Sequence, residues 1–275
     1  MIDRLPSIAD IMTADLLYYD EGHHDDCYRF CEERDIDCLP VIGDSSFYRR
    51  NDEIRGMEQR RLTADRRLNA HTPLFRPDLL DRFRRQHVMF IFDRGEMTGV
   101  VHFSDYNKSL VSAYLYLQIA AYEQSLRQIL TRLKLEHTDM LAYFKVRIET
   151  ASDTSDRDFY SRARNQFNNK AVKMPTAPKF QAADLRHLIG FVESHGLIEL
   201  DDEVVELRNS IMHANRLVDM VDPNNDDYIY DFASFEVFFT RALLLLKDSR
   251  RVHNRLAIER ELKADEEGRS GRLSE

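Results

Sequence analysis

Three side chains in the second half of the chain have types and spacing suited to acid–base chemistry on a phosphate. The segment Leu207–Asn215 contains Arg208, Asn209 and His213. An arginine keeps its charge near neutral pH and can hold a phosphate, and a histidine can take or give a proton there. Asn209 lies four residues before His213, so the two side chains share one face of a predicted helix. Together these residues could cleave RNA without a metal ion.

The elements that must position these side chains form an all-α half. Leu110–Leu135 is predicted as a long helix because its apolar residues recur at helical spacing. Five further helices are predicted, at Asp139–Thr150, Ser155–Asn169, Ala182–His195, Asp202–Val218 and Phe232–Asp248. No strand is predicted after Phe103. Arg208, Asn209 and His213 then belong to a late helix of a bundle.

The first half predicts a unit of one strand, one helix and two strands that is used twice. The first copy comprises a strand at Leu16–Tyr19, a helix at Asp25–Arg34 and a strand at Cys38–Ile42, followed by a charged segment, Arg49–Arg67, with no clean second strand. The second copy comprises an extended Leu74–Phe75, a helix at Pro77–Arg85, a strand at Val88–Phe92, a turn at Asp93–Glu96 and a strand at Thr98–Phe103. The chain is therefore predicted to be α+β.

Composition sets limits on the class of protein. The 275 residues are 43% hydrophobic, which is enough for two domains, and the net charge of −9 means that a nucleic acid must meet a local basic patch. No apolar run is long enough to cross a bilayer, and no signal-peptide core is visible. Three cysteines do not suggest a disulfide framework. A reducing cytoplasm, with no membrane partner, is the predicted location.

Short motifs in the first half resemble a family of regulatory modules. Asp10–Thr13 and Leu39–Val41 are similar to the first half of a tandem cystathionine-β-synthase-type (CBS) pair, and Phe90–Asp93 with Gly99–Asp105 to the second half. The resemblance covers about the first 108 residues. It implies an α/β CBS-like module at 1–108 that binds an adenine nucleotide as a regulatory ligand.

The resemblance also implies where that ligand would be held. In the family a Thr or Ser and, three residues later, an Asp follow the last strand, and the Asp holds a ribose. Asp105 matches that Asp, whereas His102 stands where the Thr or Ser is expected and Ser104 lies nearby. His102, Ser104 and Asp105 are therefore the candidate ligand-binding residues. The alternative is that Asp105 only caps the helix that begins near Tyr106.

A metal site is the other chemistry that the first half suggests. The candidate ligands are His23, His24, Cys27, Cys31 and Cys38. Cys27 and Cys31 share a helix face, but that face is also the apolar one, and free cysteines pack in cores as small hydrophobic residues. No second cysteine cluster completes a zinc set, so no metal site is predicted.

The second half resembles another family. Arg208–His213 matches the signature of the HEPN superfamily, which is Arg, a polar residue, three variable positions and His. The family often has an acidic residue on its first long helix facing the Arg and His, and Glu123 in Ala121–Arg127 matches it. The resemblance covers about Ser109–Asp248. It implies an all-α bundle at residues 109–250. Residues 251–275 are charged with few apolar residues, which predicts a helix that frays into a partly disordered tail.

Many HEPN proteins are metal-independent ribonucleases that act as symmetric dimers. The resemblance therefore implies a homodimeric endoribonuclease that acts on RNA, needs no cofactor for catalysis and leaves a 2′,3′-cyclic phosphate. His213 would transfer the proton, Arg208 would stabilise the charged transition state, and Asn209 would orient the phosphate or the His213 ring. Glu123 would hold Arg208 through a charge-assisted pair. A role in stress response or antiviral defence, as a growth-restricting toxin, follows from the resemblance alone.

One alternative remains open, and one branch of the family is not supported. The bundle could be a non-catalytic nucleotide-sensing or dimerisation scaffold in which Arg208 pairs with Glu123 only for stability. A branch of the family that works with a nucleotidyltransferase partner carries a Tyr two residues after the His, but here that position is Asn215. Coupling between the two halves is expected to run through the helix that begins near Ser109.

Overall fold

The computed structural model describes residues 5–34, 36–43, 46–173, 176–213, 215–220 and 230–272, without the side chains of residues 259, 260 and 262–272. It divides into two units. The first comprises Met1–Tyr114 and Ala214–Thr240, and the second comprises Leu115–His213 and Arg241–Glu275. Among the described residues, the strands all lie in the first unit and the second unit is helical, so the chain is α+β.

The first unit begins with a helix on a small antiparallel sheet. Helix α1 is His24–Glu33, and strands β1 (Cys38–Pro40), β2 (Ser46–Asn51) and β3 (Gly56–Arg61) pair in that order. One face of this sheet packs on α1 through a core that contains Tyr28, Cys31, Leu39 and Met57. The segment Leu16–Tyr19 is not a strand, and that prediction was wrong, because only its last residue bonds to the sheet, to the Pro40 carbonyl (2.9 Å).

Strands β2 and β3 occupy the charged segment in which no clean strand was predicted. Two features hid them. Arg49 and Arg50 interrupt the apolar pattern of β2, since only the first two residues of that strand are buried. The turn between the strands has Arg55 in the left-handed region (φ 48°), where a sequence usually signals the turn with Gly or Asn.

The second sheet follows the predicted order more closely. Its elements are β4 (Arg67–Asn69), α2 (Asp78–Arg85), β5 (Val88–Asp93) and β6 (Glu96–His102). Strand β4 pairs parallel to β5, and β5 pairs antiparallel to β6. The first strand of the second predicted copy is thus β4. The segment Leu74–Phe75, which was predicted to be extended, forms a turn.

The N-terminal segment completes this sheet at β6. Thr13 and Val100 exchange two backbone hydrogen bonds, of 2.8 and 3.0 Å. The close approach depends on Gly99, where a Cβ atom would lie 2.7 Å from the Met12 sulfur and 2.8 Å from the Thr13 carbonyl oxygen. Gly99 therefore allows the chain to pass directly over β6.

Residues 215–220 and 230–240, which the sequence predicts to lie in the helical half, group with the first unit. The Asn107 side chain accepts the backbone N–H groups of Leu217 and Val218, both at 2.9 Å, and its amide donates to the Val218 carbonyl. These bonds replace helical ones, so the predicted helix to Val218 ends at Met212. The predicted loop at 221–227 lies outside the described residues.

In the part of the chain that the structure describes, the second unit contains six α-helices, two of which also contribute residues to the first unit. They are α3 (Ser109–Arg132), α4 (His137–Glu149), α5 (Thr154–Lys173), α6 (Leu185–Ser194), α7 (Glu203–Met212) and α8 (Phe232–Arg272). Helix α8 continues past the predicted end at Asp248 because Val252 and Leu256 extend its buried stripe. The described part of the predicted tail, residues 251–272, belongs to this helix. No helix in the described ranges is long and apolar enough to span a membrane.

Candidate functional site

Helix α7 positions two of the three predicted catalytic residues, and its end positions the third. Val204, Val205 and Leu207 bury one side of α7, which leaves Arg208 and Asn209 half-exposed on the other. His213 is the first residue after the helix, and its backbone N–H still bonds to the Asn209 carbonyl at 3.0 Å. The His213 side chain is exposed, so solvent and a ligand can reach it.

Glu123 of helix α3 faces Arg208. Its Oε1 lies 3.9 Å from Arg208 Nε, at the outer limit of an ion pair, and the two side chains are 18% and 30% exposed. The Arg208 guanidinium also donates through Nη1 to the Asn209 amide oxygen at 3.4 Å. The structure thus brings Glu123, Arg208 and Asn209 together, with His213 one turn further along the chain.

A second arginine, which the sequence analysis gave no role, binds Glu123 more closely. Arg127 Nη2 lies 3.0 Å from Glu123 Oε2. The same guanidinium donates to the carbonyls of Phe180 and Ala183, each at 3.3 Å. Arg127 therefore fixes Glu123 against the segment before α6. The spacing of four residues between Glu123 and Arg127 is the signal that predicts this pair.

The charge of this cluster suits an anion. Two guanidiniums share one carboxylate, so Glu123, Arg127 and Arg208 together carry one net positive charge. Arg127 is nearly buried, and its Nε and Nη2 atoms donate to Glu123 and two carbonyls, whereas Arg208 is the more exposed of the two. A phosphate that approaches the cluster would therefore meet Arg208, with the Asn209 amide beside it.

The predicted ligand-binding residues of the first unit form a tight cap where β6 ends. The Asp105 carboxylate accepts the His102 backbone N–H at 2.7 Å and pairs with Lys108 Nζ at 2.9 Å. The Ser104 backbone N–H lies 3.2 Å from His102 Nδ1, and the Ser104 hydroxyl lies 2.7 Å from the same atom. Both Asp105 oxygens are thus engaged within a short turn at Phe103–Asn107, and the α-helix begins later than predicted, at Ser109.

His102 is neutral at pH 7. Burial lowers the pKa of this imidazole to about 4. Since the backbone N–H of Ser104 points at Nδ1, that nitrogen accepts and carries no proton, which agrees with the lowered pKa. The neutral His102 ring and the Asp105 side chain therefore both stabilise the turn that leads into α3.

The cysteine and histidine group is distributed over the two faces of the first sheet. Cys31 is fully buried with Tyr28 and Met57, and burial raises the pKa of its thiol to about 11. His24 bonds to the Tyr19 hydroxyl and accepts the Met57 backbone N–H at 3.4 Å. Within the described part of the chain, no three His, Cys, Asp or Glu side chains are placed to hold a metal ion.

Comparisons with known proteins add little to this geometry. No family model matches the chain, and no curated protein matches it. A solved structure, an uncharacterized conserved protein from Pyrococcus horikoshii, is similar to it with 23% sequence identity and a TM-score of 0.31. The similarity covers 41% of this chain and 95% of that protein.

Proposed function

We propose that this protein is a metal-independent endoribonuclease of the HEPN type that acts as a homodimer. The observation that supports this proposal is the facing pair Glu123 and Arg208, at 3.9 Å in a helical unit, with an exposed His213 at the end of the same helix as Arg208. A cluster with one net positive charge and a partly exposed Arg208, together with an exposed imidazole one turn further along the chain, has the groups that RNA cleavage needs.

The chemistry uses side chains of this chain and of its second copy in the proposed dimer. The imidazole of His213 takes the proton from a ribose 2′-hydroxyl, and the 2′-oxygen attacks the adjacent phosphorus. The bond from phosphorus to the 5′-oxygen breaks, and the leaving oxygen receives a proton from the imidazolium of the partner's His213. The products are a 2′,3′-cyclic phosphate and a 5′-hydroxyl.

The remaining residues bind and orient the phosphate. Arg208 stabilises the charge that develops on the phosphoryl oxygens. Asn209, which accepts from Arg208 at 3.4 Å, orients the guanidinium and donates to the phosphate through its amide. Glu123 is a positioning residue, since it is held by Arg127 and acts on the substrate only through Arg208. A two-fold dimer supplies the second Arg208 and His213 pair.

The first unit is proposed to regulate this nuclease as a CBS-like module with an adenine nucleotide as effector. The protein would act in the cytoplasm, in stress response or antiviral defence. Regulation requires that the effector binds two states of the protein with different affinity.

One observation favours the scaffold alternative. Glu123 lies closer to Arg127, at 3.0 Å, than to Arg208, at 3.9 Å. A carboxylate whose main partner is Arg127 stabilises the bundle whether or not Arg208 acts on a substrate. In this alternative the helical unit only dimerises, and no RNA is cleaved.

The test is to incubate the full chain with a single-stranded RNA in excess EDTA, beside the same sequence made of DNA. We expect cleavage of the RNA only, with a 2′,3′-cyclic phosphate on the upstream product, because the 2′-hydroxyl is the nucleophile. Mass spectrometry of the product ends measures this. Cleavage of the DNA, or intact RNA at high protein concentration, would exclude the proposed mechanism.

A further inference from the structure

A groove on the first unit is lined by arginines that the proposed nuclease does not use. It consists of two cavities of about 190 and 300 Å³ that share Phe47, Arg49 and Arg66. The arginines that line it, here called the arginine groove, are Arg49, Arg60, Arg61, Arg66 and Arg85.

The acids near the arginine groove do not neutralise it. Asp37 lines one cavity, and Glu58 binds Arg60 at 2.7 Å. Asp65 accepts a hydrogen bond from Thr63. The other four arginines of the groove form no ion pair with a carboxylate in the part of the chain that the structure describes. The groove therefore holds an excess of positive charge in a molecule whose net charge is −9.

The position of Arg66 in the arginine groove is unfavourable for its positive charge. Its guanidinium lies 4.8 Å above the ring of Phe47, which is buried. Burial lowers the pKa of Arg66, and the charges of Arg49 and Arg60 act in the same direction, whereas Cys38 and Asp65 oppose them. A half-buried guanidinium beside like charges is poorly solvated, and an anion in the groove would offset that desolvation and repulsion.

The arginines are attached to rigid elements. Phe47 and Arg49 alternate along β2 on the face opposite α1, and Arg60 of β3 is the register partner of Phe47. Phe47 packs on Phe90 of the second sheet, with ring centroids 5.2 Å apart. The guanidiniums therefore extend from a packed core, which reduces the entropy lost when they bind an anion.

We propose that the arginine groove binds a short polyphosphate chain, either as free inorganic tripolyphosphate or as the phosphate tail of a nucleoside triphosphate. Four of the five guanidiniums have no carboxylate partner among the described residues and can each form bidentate bonds to phosphate oxygens, whereas Arg60 is paired with Glu58. A single phosphate group carries about two negative charges at most and leaves much of this positive charge unbalanced, whereas three linked groups carry enough to balance it. The inference goes beyond the proposed nuclease and does not depend on it, because its test measures binding rather than cleavage.

The test is isothermal titration calorimetry of the full chain at low salt with sodium tripolyphosphate, ATP and AMP. We expect tripolyphosphate and ATP to bind, and AMP to bind at least about tenfold more weakly, since charge-assisted contacts to the distal phosphates are lost. Equal affinity for ATP and tripolyphosphate identifies the chain alone as the ligand. ATP that binds about tenfold more tightly than tripolyphosphate identifies the nucleotide.

Variants locate the binding site. Arg49→Gln and Arg61→Gln change exposed side chains and should each weaken tripolyphosphate binding about tenfold. Arg29→Gln is the matched control, because Arg29 is an exposed arginine of α1 paired with Asp26. It should bind tripolyphosphate as the wild type does.

Three results would overturn the inference. They are no heat of binding with tripolyphosphate, equal affinity for AMP and ATP, and equal loss of affinity in Arg29→Gln and Arg49→Gln. A single-stranded RNA of twelve nucleotides that displaces tripolyphosphate from the wild type, and binds it more tightly, would show that the groove is a nucleic-acid surface instead.

Discussion

Glu123 lies between two arginines that differ in their solvent exposure. Arg127 is 11% exposed and bonds to two backbone carbonyls, whereas Arg208 is 30% exposed and has a single further contact, with Asn209. The same carboxylate can therefore stabilise the bundle through one arginine and position the other for a substrate. The two roles predict different effects when the charge is removed.

Glu123→Gln should lower the free energy of unfolding by about 1–3 kcal/mol, because it leaves a nearly buried Arg127 without its counter-charge. The control is Glu206→Gln, which removes a pair with Arg186 in which both side chains are nearly half-exposed. That change should cost less than about 0.5 kcal/mol. Urea unfolding followed by circular dichroism measures both, and equal losses would contradict the structural role of Glu123.

His102 makes stability depend on pH. Burial lowers its folded pKa to about 4, below the usual histidine value, so the unfolded chain takes up the proton first as the pH falls. Between pH 6.5 and 4 the unfolded state is then favoured by about 1.4 kcal/mol per pH unit. Burial also lowers the pKa of His187, which acts in the same direction.

From pH 7 to pH 5, wild type should therefore lose about 2 kcal/mol more stability than His102→Gln. His71→Gln is the control, since His71 is 72% exposed and should retain the wild-type dependence. Urea unfolding at the two pH values gives the comparison. A His102→Gln variant with the same pH dependence as wild type would show that this imidazole is not kept neutral by the fold.

Secondary-structure elements with a clear apolar period were predictable from the sequence, and those with mixed faces were not. The helices that became α3 to α6 were predicted to within a few residues, and so were α2 and the hairpin of β5 and β6. Strands β2 and β3 escaped prediction because Arg49, Arg60 and Arg61, which line the groove, interrupt their apolar pattern. The end of α7 at Met212 was missed because the Asn107 side chain, more than a hundred residues away, competes for the backbone that follows.

Gly99 tests how the N-terminal segment is held on β6. In Gly99→Ala the new methyl group would lie 2.8 Å from the Thr13 carbonyl oxygen, so the bridge between Thr13 and Val100 must shift. We expect a loss of about 1–3 kcal/mol, typical of overpacking. Gly56→Ala is the control, since its methyl group would meet no atom closer than 3.5 Å. Thermal unfolding of both variants measures the difference in stability. A Gly99→Ala variant as stable as Gly56→Ala would contradict the close approach of the N-terminal segment to β6.

The candidate site was predictable at the level of residue types only. The spacing of Arg208 and His213 indicated their chemistry, and the family signature pointed to Glu123. The partners of the acidic side chains could not be predicted from the sequence, because they depend on which groups are buried together in the fold. Arg127, not Arg208, is the nearer partner of Glu123, and both oxygens of Asp105 are used within the cap at the end of β6.

At the scale of the whole molecule, the two units share continuous helices. Helix α3 belongs to the first unit through Tyr114 and to the second from Leu115, and α8 is divided at Thr240. If an effector bound to the first unit changes the nuclease, these helices are the continuous elements that connect the two. The proposed regulation of the nuclease by the first unit would act through these two helices.

The proposed dimer predicts how activity depends on concentration. If the active nuclease is a homodimer, the cleavage rate per protomer is constant well above the dimer dissociation constant and falls in proportion to concentration well below it. Analytical ultracentrifugation gives the dissociation constant, and initial rates across the same dilution series give the activity. A rate per protomer that stays constant while the dimer dissociates would mean that one protomer is sufficient.

The cleavage rate of single-stranded RNA in EDTA, compared among wild type, Arg208→Ala and His213→Ala, tests the proposed function most directly. Loss of a general acid–base group or of a charge-stabilising group should each slow cleavage at least about 100-fold. Arg186→Ala and His253→Ala are matched controls, since both change exposed side chains of the second unit. They should cleave within about threefold of wild type, because neither side chain belongs to the cluster. Cleavage by Arg208→Ala and His213→Ala at the wild-type rate would contradict a nuclease site at these residues.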